Sequence, residues 1–379
     1  MAIKDLMFSW FIKNILIPKN EIIDRPGFII LKLSDKKEIT NIREVLLPEK
    51  IFVDIEREII NKYKENGAHL LYSIGKNFGY RYASVSHYPS IKEKGEKDFL
   101  KFTYFVIKYL ESIYSSKITY KIDIKRKIFK IYLKNYIVCN KNGLGYLLTD
   151  GSITGTCAYG VQDFTLEGTQ IKCQGRGNEK CEFICAPPDY FKKKGMHVFI
   201  ENNLYAPAVE IDKYNNINAI RNTKFASNSL QSLIDSGFIA YKNGIMNVKF
   251  ERFLLIEASV MYLLESGLSK LKDGLKILWD CSFSFGKRLA EISGKQEPCK
   301  FITDLFPALG FGDILAVEKK GKYEVYVNYF PWMEFPEVDF VMFRGLLSGV
   351  ISGFVGRKVE LKKIEKDISA GYLSLFISE

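Results

Sequence analysis

The cysteines with the strongest chemical signal in the chain are Cys173 and Cys181, which are separated by seven residues. Two of those seven, Gly175 and Gly177, favour a tight turn, so the flanking strand ends should hold both thiols close enough to share one ion. Cys157 lies sixteen residues upstream of Cys173, at the predicted start of a helix. Three thiolates suit zinc better than magnesium or calcium. The spacing therefore predicts a metal site.

The competing interpretation is that these cysteines are reduced and pack as small apolar side chains. The chain has seven cysteines, an odd number, and no secretion signal, which favours a reducing compartment over disulfide bonds. We therefore expect a cytoplasmic protein with one zinc ion. The zinc should be structural, because no His, Asp or Glu cluster near the thiols is available to act as a base.

Other catalytic signatures are missing from the sequence. The three histidines, His69, His87 and His197, do not stand beside an Asp or Ser in a catalytic pattern. Neither glycine segment, 75–79 or 175–177, both follows a predicted strand and opens a helix, as a dinucleotide-binding loop would. The sequence leaves enzyme activity open but favours a protein without it.

An internal repeat supplies the elements that must position the thiols. Residues 64–83 align without gaps with residues 271–290, and both resemble an amphipathic helix entered at a glycine. Residues 169–184, with the cysteine hairpin, align with residues 362–377.

In the second copy the hairpin cysteines become Lys366 and Ser374. An ammonium and a hydroxyl group cannot replace two thiolate ligands, so the second copy should bind no metal.

Hydrophobic patterning predicts the same order of elements in each copy. The first copy should contain a hairpin at 21–33, helices at 52–83 and 98–115, a strand at 119–138, a helix at 151–166 and the cysteine hairpin. The second should contain a hairpin at 238–249 with a tight turn at 242–244, helices at 250–292 and 300–308, strands at 311–318 and 322–329, a helix at 338–355, and strands at 358–366 and 372–378.

This order predicts an α+β protein made of two tandem copies of one domain. In each copy an antiparallel sheet packs against helices, and the two copies form a pseudo-dimer within the chain. Pro187 and Pro188 follow a predicted strand and mark the boundary. The predicted domains are therefore residues 1–187, with the cysteine site, and residues 188–379, without the metal ligands.

The composition of the chain limits which partners and which environment can be expected. The chain of 379 residues is 47% hydrophobic and carries a net charge of +11. The positive charge favours a solvated surface over a nucleic-acid footprint, because most lysines alternate with apolar residues along the chain. No apolar run is long enough to span a membrane, so we expect no membrane insertion.

The cysteine hairpin followed by Glu182-Phe183, with a glycine-bearing helix before it, resembles the 4-vinyl reductase domain family. These domains bind small molecules in bacterial sensors of aromatic compounds and in archaeal proteins, and their fold is related to subunits of a vesicle-tethering complex. The resemblance covers nearly the whole chain as two copies. It is most specific at residues 157–184, and weaker at 338–377, where Gly345-Leu-Leu-Ser-Gly349 fits the helix of the family.

The resemblance also implies a set of zinc ligands. Family members hold zinc with a cysteine at a helix start, a Glu three residues before the first hairpin cysteine, and both hairpin cysteines; here the thiols would be Cys157, Cys173 and Cys181. The Glu position holds Gln170, and the chain between Cys157 and Cys173 is shorter than in the family. Glu167, Glu179, a water or a backbone oxygen would then supply the fourth ligand.

Aromatic residues on the repeated helix are the candidate ligand-binding residues. In the family the ligand lies between the long helices and the sheet, which implies Tyr72 and Phe78 in the first copy and Trp279, Phe283 and Phe285 in the second. Aromatic residues at helical spacing also occur as ordinary core.

The function predicted first is a non-enzymatic sensor or regulator that binds an apolar or aromatic small molecule. A protein-interaction scaffold, like the tethering-complex relatives, and an accessory role in tetrapyrrole or cofactor metabolism are the alternatives.

Overall fold

The computed structural model describes residues 21–34, 39–86, 88–136, 143–205, 210–242, 245–332, 339–367 and 372–377. The strands are β1 (Glu21–Arg25), β2 (Phe28–Ser34), β3 (Ile39–Pro48), β4 (Lys117–Asp123), β5 (Ile128–Lys134), β6 (Glu167–Lys172), β7 (Cys181–Ala186), β8 (Ile239–Lys242), β9 (Ile245–Val248), β10 (Glu251–Glu257), β11 (Asp313–Lys319), β12 (Lys322–Asn328), β13 (Leu361–Asp367) and β14 (Tyr372–Ile377). The helices are α1 (Glu49–Val85), α2 (Ile91–Tyr114), α3 (Leu147–Val161), α4 (Pro188–Lys193), α5 (Ile211–Ile217), α6 (Leu230–Asp235), α7 (Ser259–Leu268), α8 (Gly274–Ser293), α9 (Pro298–Leu305) and α10 (Val341–Val355).

The strands form antiparallel sheets, and the fold is α+β as predicted. Two four-stranded sheets have the same order, β4-β5-β7-β6 in the first half of the chain and β11-β12-β14-β13 in the second. A six-stranded sheet of order β1-β2-β3-β10-β9-β8 takes three strands from each half. One hydrophobic cluster extends through residues of both halves.

Each half repeats one order of elements: three strands of the shared sheet, a long helical segment, a helix, a hairpin, a second helix and a closing hairpin. Even the interruption of the helical segment recurs. Helix α1 is broken at Lys64, where φ is 52°, and α7 ends before α8 begins at Gly274. This repetition supports the predicted duplication. The pseudo-dimer and the domain boundary after residue 187 stay predictions.

A close helix crossing recurs in both halves, and glycine makes it possible. Helix α1 crosses α3, and α8 crosses α10. A Cβ atom on Gly79 would overlap the carbonyl oxygen of Ser152, and one on Gly286 would overlap that of Leu346. The aligned pair Gly79 and Gly286 are therefore contact positions between helices, where the backbones approach too closely for any larger residue.

Two predicted elements are wrong. The helix predicted at 250–292 begins instead with strand β10, because residues 251–257 pair with β3 and β9 as a buried strand without helical periodicity. The strand predicted at 119–138 is a hairpin of β4 and β5, with the basic residues 125–127 in its turn. Strand β3 was not predicted. The predicted turn at 242–244 lies mostly outside the described residues.

Within the ranges given above, no helix combines the length and the hydrophobicity that a membrane span requires.

We expect Gly79→Ala and Gly286→Ala each to lower the free energy of unfolding by about 1–3 kcal/mol, because a methyl group forces the crossing helices apart. Chemical denaturation of both variants would measure the loss. Ser284→Ala is the control, since Ser284 lies exposed on the same helix as Gly286. A glycine variant as stable as that control would contradict the close crossing.

Candidate functional site

A cavity of about 190 Å³ lies in the first half of the protein, between helices α1, α2 and α3 and the β4–β5 hairpin. Strand β10 and helix α7 of the second half complete its wall, through Leu254, Ile256, Glu257 and Val260. Most of the wall is apolar. The cavity therefore lies between the long helices and the sheet, and residues of both halves of the chain line it.

The alternation of side chains along β4 and β5 determines which of their residues line the cavity. Ile118, Tyr120 and Ile122 of β4 line the cavity, and so do Phe129, Ile131 and Leu133 of β5. Because successive side chains of a strand point to opposite faces, every second residue of each strand reaches the cavity.

Most of the tyrosine hydroxyl groups around the cavity already bond to other protein groups. Tyr88 donates to Thr103 Oγ1 at 2.8 Å, since Thr103 donates its own proton to the carbonyl oxygen of Phe99. Tyr136 donates to Thr149 Oγ1 at 3.3 Å, and Tyr114 donates to a backbone carbonyl of β10.

One buried pair of carboxyl groups lies at the cavity wall. Glu44 of β3 and Glu257 of β10 are directly opposite each other across the strand pair, and both are buried. Tyr82 donates to Glu44 Oε1 at 3.4 Å, and Tyr214 donates to Glu257 Oε1 at 3.2 Å. Burial, with a smaller contribution from the charge of Glu257, raises the pKa of Glu44 from 4.5 to about 8. Glu44 is therefore protonated at neutral pH.

The predicted ligand-binding residues divide between the cavity and other parts of the core. Phe78 lines the cavity, and Tyr72 does not. In the second half, Trp279 lies under the Arg344 guanidinium at 5.4 Å. Phe285 packs against Phe253 of β10 with ring centroids 6.0 Å apart, and Phe283 faces the α8–α10 crossing through its carbonyl oxygen. None of these three lines the cavity, and a ligand role for any of the five residues stays a prediction.

Tyr72 belongs to a buried polar network with Lys76 and Glu167. Lys76 Nζ donates to Glu167 Oε1 at 2.9 Å, and the Tyr72 hydroxyl donates to Glu167 Oε2 at 2.6 Å. The side chains of Lys76 and Glu167 are both inaccessible to solvent. Burial is the first cause of both pKa shifts, lowering that of Lys76 and raising that of Glu167, while the attraction between the two charges opposes both shifts.

A segment at residues 197–205 covers this network. The Glu201 amide donates to Glu167 Oε1 at 2.8 Å, and its carbonyl oxygen accepts from Lys76 Nζ at 2.7 Å. Phe199 packs on Tyr72 with ring centroids 5.7 Å apart. Glu167 is therefore fully engaged by a lysine, a tyrosine and a backbone amide.

The hairpin thiols and the helix thiol lie in different places. Cys173 follows β6 and Cys181 begins β7, and the backbone N–H of Gln174 donates to Cys181 Sγ at 3.4 Å. Cys157 lies near the end of α3, not at a helix start as predicted, and its free thiol hydrogen-bonds to the free thiol of Cys185, whose pKa is raised by burial. Strand pairing places Glu167 opposite Ala186, at the far end of the hairpin from Cys173 and Cys181.

The carboxylate that sequence reasoning missed beside the hairpin is Asp150 of α3. It accepts from the Gln170 amide at 2.7 Å, and its pKa is raised well above the ordinary value by burial, with the charges of Glu56 and Cys181 adding to the shift. Its one sequence signal was its place in the first turn of a helix.

The predicted zinc ligands do not assemble into one site. In the part of the chain that the structure describes, no group of three or more His, Cys, Asp or Glu side chains is placed to hold a metal ion. The donors Cys157 and Glu167 have other partners, so the set implied by the family resemblance does not fit. Zinc binding stays a prediction. The side chains of Lys366 and Ser374 lie outside the described part.

The raised pKa of Glu44 predicts a pH-dependent stability. Between about pH 4.5 and 8 the unfolded chain loses the Glu44 proton and the folded protein keeps it, so the free energy of unfolding should fall by about 3–5 kcal/mol as pH rises through this window. Glu44→Gln should remove that decrease and be more stable than wild type at pH 8.

Thermal unfolding of both proteins between pH 4 and 9 would measure the effect. Glu291→Gln, at an exposed position of α8, is the matched control and should keep the wild-type pH profile. Parallel profiles for wild type and Glu44→Gln would show that Glu44 does not titrate in this range.

Comparisons with known proteins do not assign the chain to a family. No family model matches it, and no curated protein matches it in sequence. Among solved structures it is similar to the crystal structure of the phenol-responsive sensory domain of the transcription activator PoxR with phenol. The identity is 15%, the TM-score is 0.30, and the match covers 47% of this chain and 92% of that chain. A similarity of this size supports no statement about function, and membership of the 4-vinyl reductase family stays a prediction.

Proposed function

We propose that this protein is a non-enzymatic sensor that binds one small apolar or aromatic molecule in the cavity of its first half. The observation that carries the proposal is the apolar cavity of about 190 Å³ between helices and sheet. Apolar cavities of about 150 Å³ in other proteins bind benzene. The space therefore suits a single aromatic ring with a small substituent.

The polar groups of the wall support binding rather than catalysis. The hydroxyl protons of Tyr88, Tyr114 and Tyr136 are donated to protein acceptors. Glu257 accepts from Tyr214 and from Ser259. Such groups hold the shape of the cavity and give a ligand a few fixed points, as in other small-molecule sites.

The composition of the wall suggests how binding is sensed. Strand β10 belongs to the second half, and the rest of the strand wall, β4 and β5, belongs to the first. A ligand in contact with both walls adds contacts between the halves, so occupancy stabilises their association.

A ligand series should show this directly. We expect benzene, toluene, phenol or indole to raise the Tm of the wild-type protein by a few °C, because a ligand that binds only the folded state stabilises it. Ala83→Leu should abolish the shift, since Ala83 lines the cavity and the larger side chain fills it. Isothermal calorimetry would confirm the loss. Ala316→Leu, a buried position of β11 outside the cavity wall, should keep the shift.

The repeat offers a second control for that experiment. Phe78→Ala and Phe285→Ala remove aligned rings, and each should cost about 3–5 kcal/mol of stability. Only Phe78 lines the cavity. Phe285→Ala keeps the cavity and should show only the wild-type shift, whereas aromatic ligands should raise the Tm of Phe78→Ala by more, because they fill the space of the missing ring. Equal responses of the two variants, or no shift in wild type with any of the four compounds, would contradict the proposal.

We keep zinc as a separate proposal, limited to the cysteine hairpin. Its support is the place of Cys173 and Cys181 at the two ends of one short turn, with a backbone N–H directed at Cys181 Sγ. Hydrogen bonds of this kind stabilise thiolate ligands. Cys157 and Glu167 are not part of the proposed site.

Metal analysis of purified protein tests the zinc proposal. We expect about one zinc per chain, with a lower Tm after chelation or after Cys173→Ser with Cys181→Ser, because a structural ion contributes its binding free energy to stability. Glu167→Gln should lower stability by about 3–5 kcal/mol equally with and without chelator, since it leaves Lys76 buried without its partner. Metal-free protein whose Tm does not respond to chelator would rule the zinc out.

A further inference from the structure

The outer face of the β4–β5 hairpin carries a ladder of lysines, which we call the basic face and define as Lys117, Thr119, Lys121, Lys130, Tyr132 and Lys134. These residues alternate with the residues that line the cavity, so they lie on the opposite side of the sheet. Lys117, Lys121 and Lys134 are exposed, and Lys130 is half-buried.

The lysines of the basic face stand directly opposite each other. Strand pairing places Lys117 against Lys134 and Lys121 against Lys130, with Thr119 against Tyr132 between them. Like charges directly opposite on one face of a sheet are destabilising. Among the described residues, none of these four lysines forms an ion pair. The acid on the neighbouring strand, Glu182, already pairs with Lys172 at 3.1 Å.

The corresponding sheet of the second half has a single opposed lysine pair, Lys319 and Lys322, and an acid beside it. Strands β5 and β12 each have seven residues, and the third is Lys130 in one and Glu324 in the other. Glu324 pairs with Lys319 at 2.6 Å. The first residue of β11 is Asp313, where β4 begins with Lys117. The same architecture therefore exists with a neutralised outer face, so the fold does not require the unpaired lysines.

We propose that the basic face binds single-stranded nucleic acid. Phosphates placed between the opposed lysines would remove the cross-strand repulsion and release counterions. Tyr132 lies at the centre of the face, and Lys180 Nζ, 4.4 Å from its ring centroid, brings a further cation to it. A base that stacks on Tyr132 would displace this lysine from the ring.

An anionic membrane fits this face less well than a nucleic acid does. Binding at a membrane surface needs apolar side chains that enter the lipid. The apolar residues of the outer face, Ile128, Ile171 and Ile184, form a small cluster with Phe191 of α4. They are thus occupied by the protein, and the part of the face that remains open is polar and basic.

The test is fluorescence anisotropy with a labelled oligothymidylate and a labelled oligouridylate of about 12 nucleotides. We expect binding by the full chain, with log K falling against log salt with a slope of about −3, because each of four lysines releases about 0.7 of a counterion from a single strand.

The decisive variant combines Lys121→Glu with Lys134→Glu. It turns both repulsive cross-strand pairs into opposite-charge pairs, so Tm should rise by about 1–4 °C while affinity falls about tenfold or more. Loss of binding in a more stable protein excludes misfolding as its cause. Lys320→Glu with Lys322→Glu changes the net charge equally at the second-half hairpin and should leave binding unaltered.

Several results would overturn the proposal. These are no oligonucleotide binding by wild type at low salt, equal loss of binding in both double variants, and tighter binding of a duplex than of the single strands. Binding of phosphatidylserine vesicles without oligonucleotide binding would identify a membrane surface as the partner and reject the nucleic acid.

Discussion

The antiparallel pairing of β3 with β10 is the contact on which the rest of this structure depends. It joins three strands from each half into one sheet, and its register places Glu44 opposite Glu257. Because β10 belongs to the second half yet lines a cavity in the first, the cavity exists only while this pairing holds. The carboxyl pair therefore weakens the strand pair that closes the proposed binding site as pH rises from about 4.5 to 8.

The two halves share a backbone plan and differ in the chemistry placed on it. Lys76 of the first half aligns with Phe283 of the second, so the buried lysine–glutamate pair beneath the 197–205 segment is confined to the first half. The outer lysines of β5 give way to Glu324 in β12. The cavity, the ion pair and the basic face thus all belong to the first half, while the second half supplies a wall and a matched neutral sheet.

Sequence reasoning predicted the α+β class, the repeated order of elements and the hairpins, because turn glycines and apolar periodicity are local signals. It placed Phe78 near a cavity but missed β10, since a buried strand with a nearly continuous apolar run does not differ in periodicity from a buried helix. It also missed Asp150, because the approach of a helix to a hairpin depends on tertiary packing. Cys157 was grouped with the hairpin thiols by distance along the chain, and the fold turns it towards Cys185.

The distribution of lysines leads to one conclusion in the sequence and to the opposite one in the folded sheet. Lysines that alternate with apolar residues are spread evenly along the sequence. In a strand, however, the same alternation places the lysines of that strand on one face of the sheet. It also places that face on the opposite side of the sheet from the cavity. Ile118 and Ile122 point inward while Lys117 and Lys121 point outward from the same strand, β4. The backbone that fixes the width of the cavity therefore also fixes the spacing of the opposed lysines.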